Sequence, residues 1–539
     1  MRRTGNLFAA VFTLALGAVS PAWSTPGDTV RSIPVPACCP TGLTSDGDHL
    51  WLADRRTDML YQLDAVSGTV LDSLPAPAYS PTGLTWDGSH LWVVDADEKL
   101  LYAVNPETRI VERTLWCPVS RPGDLAWDGE YLWICDDGSD EIHKLSTEDG
   151  TTMMSFEAPS SHPGGLAFDG TYLWVSDRYK DMVYMVWPAT GDVVLSLHAP
   201  GSHPTGLTLL DGELWVVDYQ DDRVYQVIVE DGTLFSREEP RRQQLDFIHQ
   251  VRCFGPDSAK TVDVYLSVPQ NMNNQKLLGE VLFDPAPTEI VPDQWGQPVA
   301  HFRFTDLAAG EHVEVSSTAR VELYENRYFV RPERVGGLDD IPGDIRATYL
   351  VDNSKFALGD AVIQKGVKAA VGDETNPYWI ARKLYNYVID HIEYELAGGW
   401  NIAPTVLERG TGSCSEYSFV YIALCRAAGL PARYVGSVAV RGDDASWDNV
   451  FHRWVEIYLP GYDWVPVDPS GGDSDWPAAR ADAFGFLQNR FLITTAGGGG
   501  SDYLEWDYNA NERFTTRGRC KMAVENFGEW SPLPDSSVD

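Results

Sequence analysis

Short apolar runs alternate with polar turns along the first half of the chain, at a fixed spacing. "PTGL" begins at Pro40 and Pro81, "PGDL" at Pro122, "PGGL" at Pro163 and "PTGL" at Pro204, each 41 residues after the last. The same step links Trp51, Trp92, Trp133, Trp174 and Trp215, and it links Asp54, Asp95, Asp136, Asp177 and Asp218. Tyr61, Tyr102, His143, Tyr184 and Tyr225 keep the register. Each unit holds four β-rich segments separated by turn residues such as Asp-Gly, which predicts four short strands. Four strands in a repeat of about 40 residues is the pattern of a propeller blade. Residues 26–240 are therefore read as a β-propeller with five clear units, a sixth degenerate one being left open.

"TVRSIPVPA" (Thr29–Ala37) aligns with the fourth strand of a later unit, "TVLDSLPAPA". One strand is thus spare at the start, and it is expected to close the ring by pairing into the last unit. The repeats resemble those of NHL and lactonase-type propellers, a likeness that names no chemistry. The five aspartates are read as acceptors for the backbone of the following turn rather than as metal ligands. The tryptophans are read as packing between units. A propeller of this kind is expected to serve assembly, partner binding or substrate presentation.

After Arg241 the repeat stops and strict alternation begins. In "KTVDVYLSVP", Val262, Val264, Leu266 and Val268 share one face. Alternation across "AHFRFTDL" and "HVEVSSTARVELY" extends the pattern, and residues 243–345 are read as a β-sandwich linker domain. His301 and His312 are expected to be ordinary strand residues. The period then changes. Ile380, Leu384, Val388 and Ile392 recur at helical spacing, with Pro377 suited to a first turn. Residues 346–539 are read as an α+β domain, so three folded domains are expected in all.

Composition narrows the partners. Of 539 residues, 41 are Lys or Arg and 78 are Asp or Glu, a net charge of −37. Nucleic acids and anionic membranes both favour a positive surface, so neither is an expected partner. "MRRTGNLFAAVFTLALGAVSPAWSTPG" has a basic start, an apolar run of about 13 residues and the small-x-small Ala22-Trp23-Ser24, which reads as a secretory signal peptide over residues 1–24. The run is shorter than the roughly 20 residues that span a bilayer. A secreted or periplasmic protein follows, with no transmembrane segment after signal removal. Export permits disulfides among the eight cysteines without fixing their connectivity.

One cysteine stands apart. "GTGSCSEYSFVYIALCRAAGLP" delivers Cys414 to the first turn of a predicted helix, with Ser413 as N-cap and Gly429-Leu430-Pro431 as the stop. The positive helix end and its free N–H groups favour a thiolate there, and the same groups suit an oxyanion. Cys425 lies eleven residues on, about 16 Å along the helix, beyond the roughly 7 Å that a disulfide permits. Downstream, "HRWVEIYLPGYDWVPVDPS" reads as a hairpin with His452 at its head and Asp468 at its end. The three blocks "GSCSEYSFVYIALCRAAGLPARYV", "FHRWVEIYLPGYDWVPVDPS" and "FGFLQNRFLITTAGG" resemble, in order and spacing, the core of the transglutaminase-like (papain-like) superfamily. The resemblance implies Cys414 as nucleophile, His452 as general acid/base and Asp468 as the orienting carboxylate. No oxyanion side chain carries over, and Trp379 and Trp400 are the upstream candidates.

The implied reaction is a thioacyl-enzyme step at an amide of a peptide or protein substrate, with hydrolysis favoured over transfer to an amine. The alternative is a non-catalytic scaffold whose propeller binds a protein partner and whose core only recognises peptides. No cofactor is required by this chemistry. The acidic loops "RGDDASWDN" and "GGDSDWP" raise Ca²⁺ as an open question, although neither has EF-hand spacing.

Overall fold

A computed structural model describes residues 25–396 and 400–533. The signal-peptide reading falls outside the described residues. Five four-stranded antiparallel sheets follow one another through the first 227 residues. Their first strands, Pro40–Ser45, Pro81–Trp86, Pro122–Trp127, Pro163–Phe168 and Pro204–Leu210, lie side by side in order, and the fifth lies against the first. The fifth sheet takes its outer strand from the N-terminus. Thr29–Pro34 pairs antiparallel with Arg223–Val227, with Ser32 opposite Tyr225. The spare strand thus pairs into the fifth sheet, where the sequence placed it.

The repeated residues have repeated jobs. Asp54, Asp95, Asp136, Asp177 and Asp218 each accept backbone N–H groups two residues on, at 2.7–3.0 Å. Trp51, Trp92, Trp133 and Trp174 donate their indole N–H to Asp46, Asp87, Asp128 and Asp169 at 2.8–2.9 Å. The equivalent of those aspartates in the fifth unit is Leu210, and Trp215 Nε1 has no partner. Asp124 replaces the glycine of the other units. Its buried carboxyl accepts from the N–H groups of Leu84, Leu166 and Leu207 at 3.0–3.2 Å, tying the third sheet to the second, fourth and fifth.

Two further sheets draw their strands from both ends of the remaining chain. Phe235–Pro256 pairs with His312–Tyr328 on one side and with Cys520–Pro532 on the other. Ala259–Ser267 pairs with Pro298–Leu307 and with Ala510–Thr516. The expected boundary at 345/346 therefore does not sort the strands, because the C-terminal strands return to complete both sheets. Local alternation reports a strand's two faces but not which distant strand it pairs with. Cys253 and Cys520 meet across this return, 2.6 Å apart at sulfur. His301 and His312 sit in strands as expected, and His301 pairs with Asp263 at 2.7 Å.

Between the two strand contributions lies a helical layer on a four-stranded antiparallel sheet. The sheet order is Asp463–Val467, His452–Leu459, Ala432–Ala439, Phe491–Gly497. The Cys414–Ala427 helix packs on its two central strands and is buried from Cys414 to Arg426. The Pro377–His391 helix begins with Pro377 at the first turn, and Asn376 caps it by accepting from Tyr378 and Trp379 N–H. It stops before Ile392 because Glu393-Tyr394 pairs in parallel with Thr411-Gly412, the two residues before Ser413.

This layer is pinned to the fourth sheet of the N-terminal array. Arg382, 2% exposed, faces Asp192 at 3.7 Å, and Asn386 donates to Asp192 at 3.0 Å. Burial acts to raise the Asp192 carboxyl, but Arg382, Thr190 and Asn386 outweigh it and hold it below the usual range. Asp192→Ala is expected to destabilise the protein by about 3 kcal/mol in denaturant unfolding, because Arg382 is left as a buried, unpaired cation. Adding Arg382→Met is expected to recover most of that loss. Equal stability of Asp192→Ala and the parent would show that the pair contributes nothing.

Candidate active site

The Cys414–Ala427 helix starts at Ser413, whose extended backbone turns the chain into the first helical turn. Glu416, fully buried, accepts from Ser413 N–H at 3.2 Å and reaches back to Asn401 Nδ2 at 2.8 Å and Arg409 Nη2 at 2.9 Å. This S-x-x-E spacing is a capping box. Its sequence signal is "SCSE", in which Glu416 stands three residues after the Ser413 cap. The effect is a helix start anchored from three sides, with Cys414 held in the first turn and 8% exposed.

The hairpin brings in the other two groups. His452–Leu459 and Asp463–Val467 pair from Leu459↔Asp463 to Val455↔Val467. Asp468 follows one residue later, and its Oδ2 lies 2.6 Å from His452 Nε2. Asp468 also caps the turn that follows it: Oδ1 accepts from Gly471 N–H and Ser470 Oγ at 2.9 Å, while Oδ2 is left for His452. With Nε2 engaged, Nδ1 is the remaining ring nitrogen, and the Cys414 thiol and the His452 imidazole each shift the other's ionisation. Phe491 stacks on the ring at 5.2 Å between centroids, and Trp454 lies at 5.9 Å. These aromatic supports were missed because strand alternation does not say which residue covers which.

The electrostatics follow from this arrangement. Burial acts to raise the Cys414 thiol, but the hydrogen bond and charge of His452, aided by Arg453, carry it below its ordinary value. Burial acts to lower the His452 imidazole, but the charge and hydrogen bond of Asp468 and the contact with Cys414 push it up to about 10. Burial acts to raise Asp468, and His452, Gly471 and Ser470 hold it down instead. Each shift runs in the direction that favours the charged form beside its charged neighbour. Cys425, on the same helix but wholly buried, has its thiol pushed far up by desolvation.

A cavity of about 490 Å³ opens beside His452 and Asp468, floored by Trp454, Phe486 and Phe491, with Tyr394 at its edge. Trp379 packs against Trp187 at 5.4 Å, and Trp400 lies 6.1 Å from Phe419. Among the acidic-loop residues, Asp448 accepts from Ala439, Val450 and Phe451 N–H and from Arg441, while Asp473 accepts from Tyr417 Oη at 2.8 Å. Among the described residues there is no group of three or more His, Cys, Asp or Glu arranged to hold a metal, and no helix is long and apolar enough to cross a membrane.

Residues 365–469 match the core of the transglutaminase-like superfamily. An uncharacterized protein of Haemophilus influenzae is 26% identical over 156 residues, which is 24% of this chain and 42% of that protein. The uncharacterized protein YebA of Bacillus subtilis is 32% identical over 77 residues, 12% of this chain and 10% of that protein. The chain thus spans less than half the length of either relative. Among solved structures, the "putative cysteine protease" of Cytophaga hutchinsonii aligns over 57% of this chain and 95% of its own, at 17% identity and a TM-score of 0.38.

Proposed function

We propose that this chain, which carries a transglutaminase-like domain over residues 365–469, is an exported cysteine enzyme acting on amide bonds of peptides or proteins. The observation that carries the reading is the convergence of Cys414, His452 and Asp468, with His452 Nε2 at 2.6 Å from Asp468 Oδ2. In this reading the Cys414 thiolate attacks the amide carbon. The oxyanion that forms is received by N–H groups at the start of the helix. The His452 imidazolium gives its proton to the departing amine, and Asp468 holds the ring and its charge. The thioester then passes to water, activated by the now neutral His452. Hydrolysis is favoured over transfer to an amine because water needs no second binding site, and the His452 side chain remains 18% exposed.

The aromatic-floored cavity beside His452 supports an apolar side chain next to the cleaved bond. The five-sheet array reads as a five-bladed propeller that holds the loop after Asp468, because Ala478 N–H donates to Pro159 O at 3.1 Å. No metal or organic cofactor enters this chemistry. Mass spectrometry of casein-like peptides, with and without an amine donor, tests the reading. Cleaved peptides from the parent and none from Cys414→Ala support hydrolysis. Amine adducts in place of cleavage would replace hydrolysis with transfer, and unchanged peptides in every arm would overturn the reading.

A further inference from the structure

The 41-residue repeat supplies an internal comparison within one sequence. Pro, Leu, Trp and Asp recur in all five units because they build the sheets. Two positions that face each other across the start of every unit vary among the five. Just before each repeated proline stand Cys39, Ser80, Arg121, His162 and His203, and just after each repeated aspartate stand Arg55, Ala96, Asp137, Arg178 and Tyr219. The backbone treats them alike. In every unit the second residue donates its N–H to the carbonyl of the first, at 2.9–3.4 Å. Fixed backbone with varied side chains separates scaffold from chemistry, and residues from both sets line one cavity.

That cavity, about 340 Å³, lies at one mouth of the five-sheet array. Asp124 closes the axis beneath it by bonding across to three other sheets, which leaves a cup rather than a channel. Arg55, Lys99, Arg121 and Arg178 line the cup against two carboxylates, Asp97 and Asp137. This is a cationic recess in a chain of net charge −37. Asp137 is shared: Arg121 reaches it at 2.6 Å, Arg178 at 2.8 Å and His162 at 3.1 Å. One carboxylate cannot balance two guanidiniums. Arg178 Nε and Thr82 Oγ1 are buried at the cup without a hydrogen-bond partner, and Arg55 makes no ion pair among the described residues.

We propose that this cup is a second ligand site, separate from Cys414, which binds a small molecule or chain end through a carboxylate or phosphate group held by Arg55, Arg121 and Arg178. Planar guanidiniums suit both oxyanions in two-point geometry, and a focused positive recess raises local anion concentration. Isothermal titration of the full mature chain with citrate and, separately, with inorganic phosphate at low salt tests this. Binding with a dissociation constant of about 1 mM or tighter is expected for at least one anion, and the arm that binds names the source chemistry. Arg121→Ala/Arg178→Ala is expected to weaken it by at least about 10-fold. Arg109→Ala, whose arginine pairs with Asp72 away from the cup, is expected to leave it unchanged. Asp137→Asn is expected to tighten it, a gain that misfolding does not mimic. No heat with either anion up to about 10 mM, an arginine variant that binds like the parent, or weaker binding by Asp137→Asn would each overturn the proposal.

Discussion

Cys414→Ala is expected to lower kcat/KM for peptide cleavage by on the order of 10⁵-fold, to the level of the uncatalysed background plus whatever binding alone supplies. The loss is large because every later step depends on the thioester. His452 has no leaving amine to protonate and Asp468 has no imidazolium to stabilise once the nucleophile is gone. Folding is expected to survive. The thiol is small, and the helix start is held by Glu416 through Ser413, Asn401 and Arg409. An unchanged melting temperature with activity removed is the expected pair of measurements. Loss of both together would mean that Cys414 is a packing residue.

Removing the Asp468 charge is the second large effect, and its signature lies in the pH profile. Asp468→Ala is expected to cost about 10²–10⁴-fold in kcat/KM. Without the carboxylate, burial is free to lower the His452 imidazole from its raised value near 10, so the alkaline limb of the rate profile moves to lower pH. The Asp468 charge itself acts to raise the Cys414 thiol, so its removal does not move the acid limb to higher pH while His452 stays protonated. The active window is thus expected to narrow from its alkaline side. Asp468→Asn is expected to fall between parent and alanine. Its single amide oxygen cannot serve both Gly471 with Ser470 and His452, as the two carboxylate oxygens do. A uniform drop at all pH values would assign Asp468 to the turn alone.

Local signals in the sequence reached far. The 41-residue step placed every first strand and the spare N-terminal strand, because the units repeat in sequence as their four-stranded sheets do in the structure. The two helix starts were legible from Pro377 in the first turn of one and Ser413 as the N-cap of the other, while the Asn376 cap was not read. The candidate site was legible in outline because Cys414, His452 and Asp468 come from one helix start and one hairpin, both short-range structures. Long-range facts were not. Nothing local says that Ala510–Thr516 pairs with Ala259–Ser267, that Phe491 covers His452, or that Asp192 neutralises a buried Arg382 from another domain. Nor does a lone Asp in "PGDL" announce that its side chain bonds three neighbouring sheets.

The central claim is that Cys414 rests as a thiolate paired with His452, and iodoacetamide labelling near pH 5.5 reads it directly. Peptide mass spectrometry follows carboxamidomethylation at Cys414, with buried Cys425 as the internal reference. At that pH an ordinary thiol is about one part in 10³ ionised. The parent is expected to label rapidly at Cys414, and His452→Ala is expected to label at least about 10²-fold more slowly, because burial then holds the thiol protonated. Labelling of Cys414 that is slow in the parent and indifferent to His452 would contradict the account.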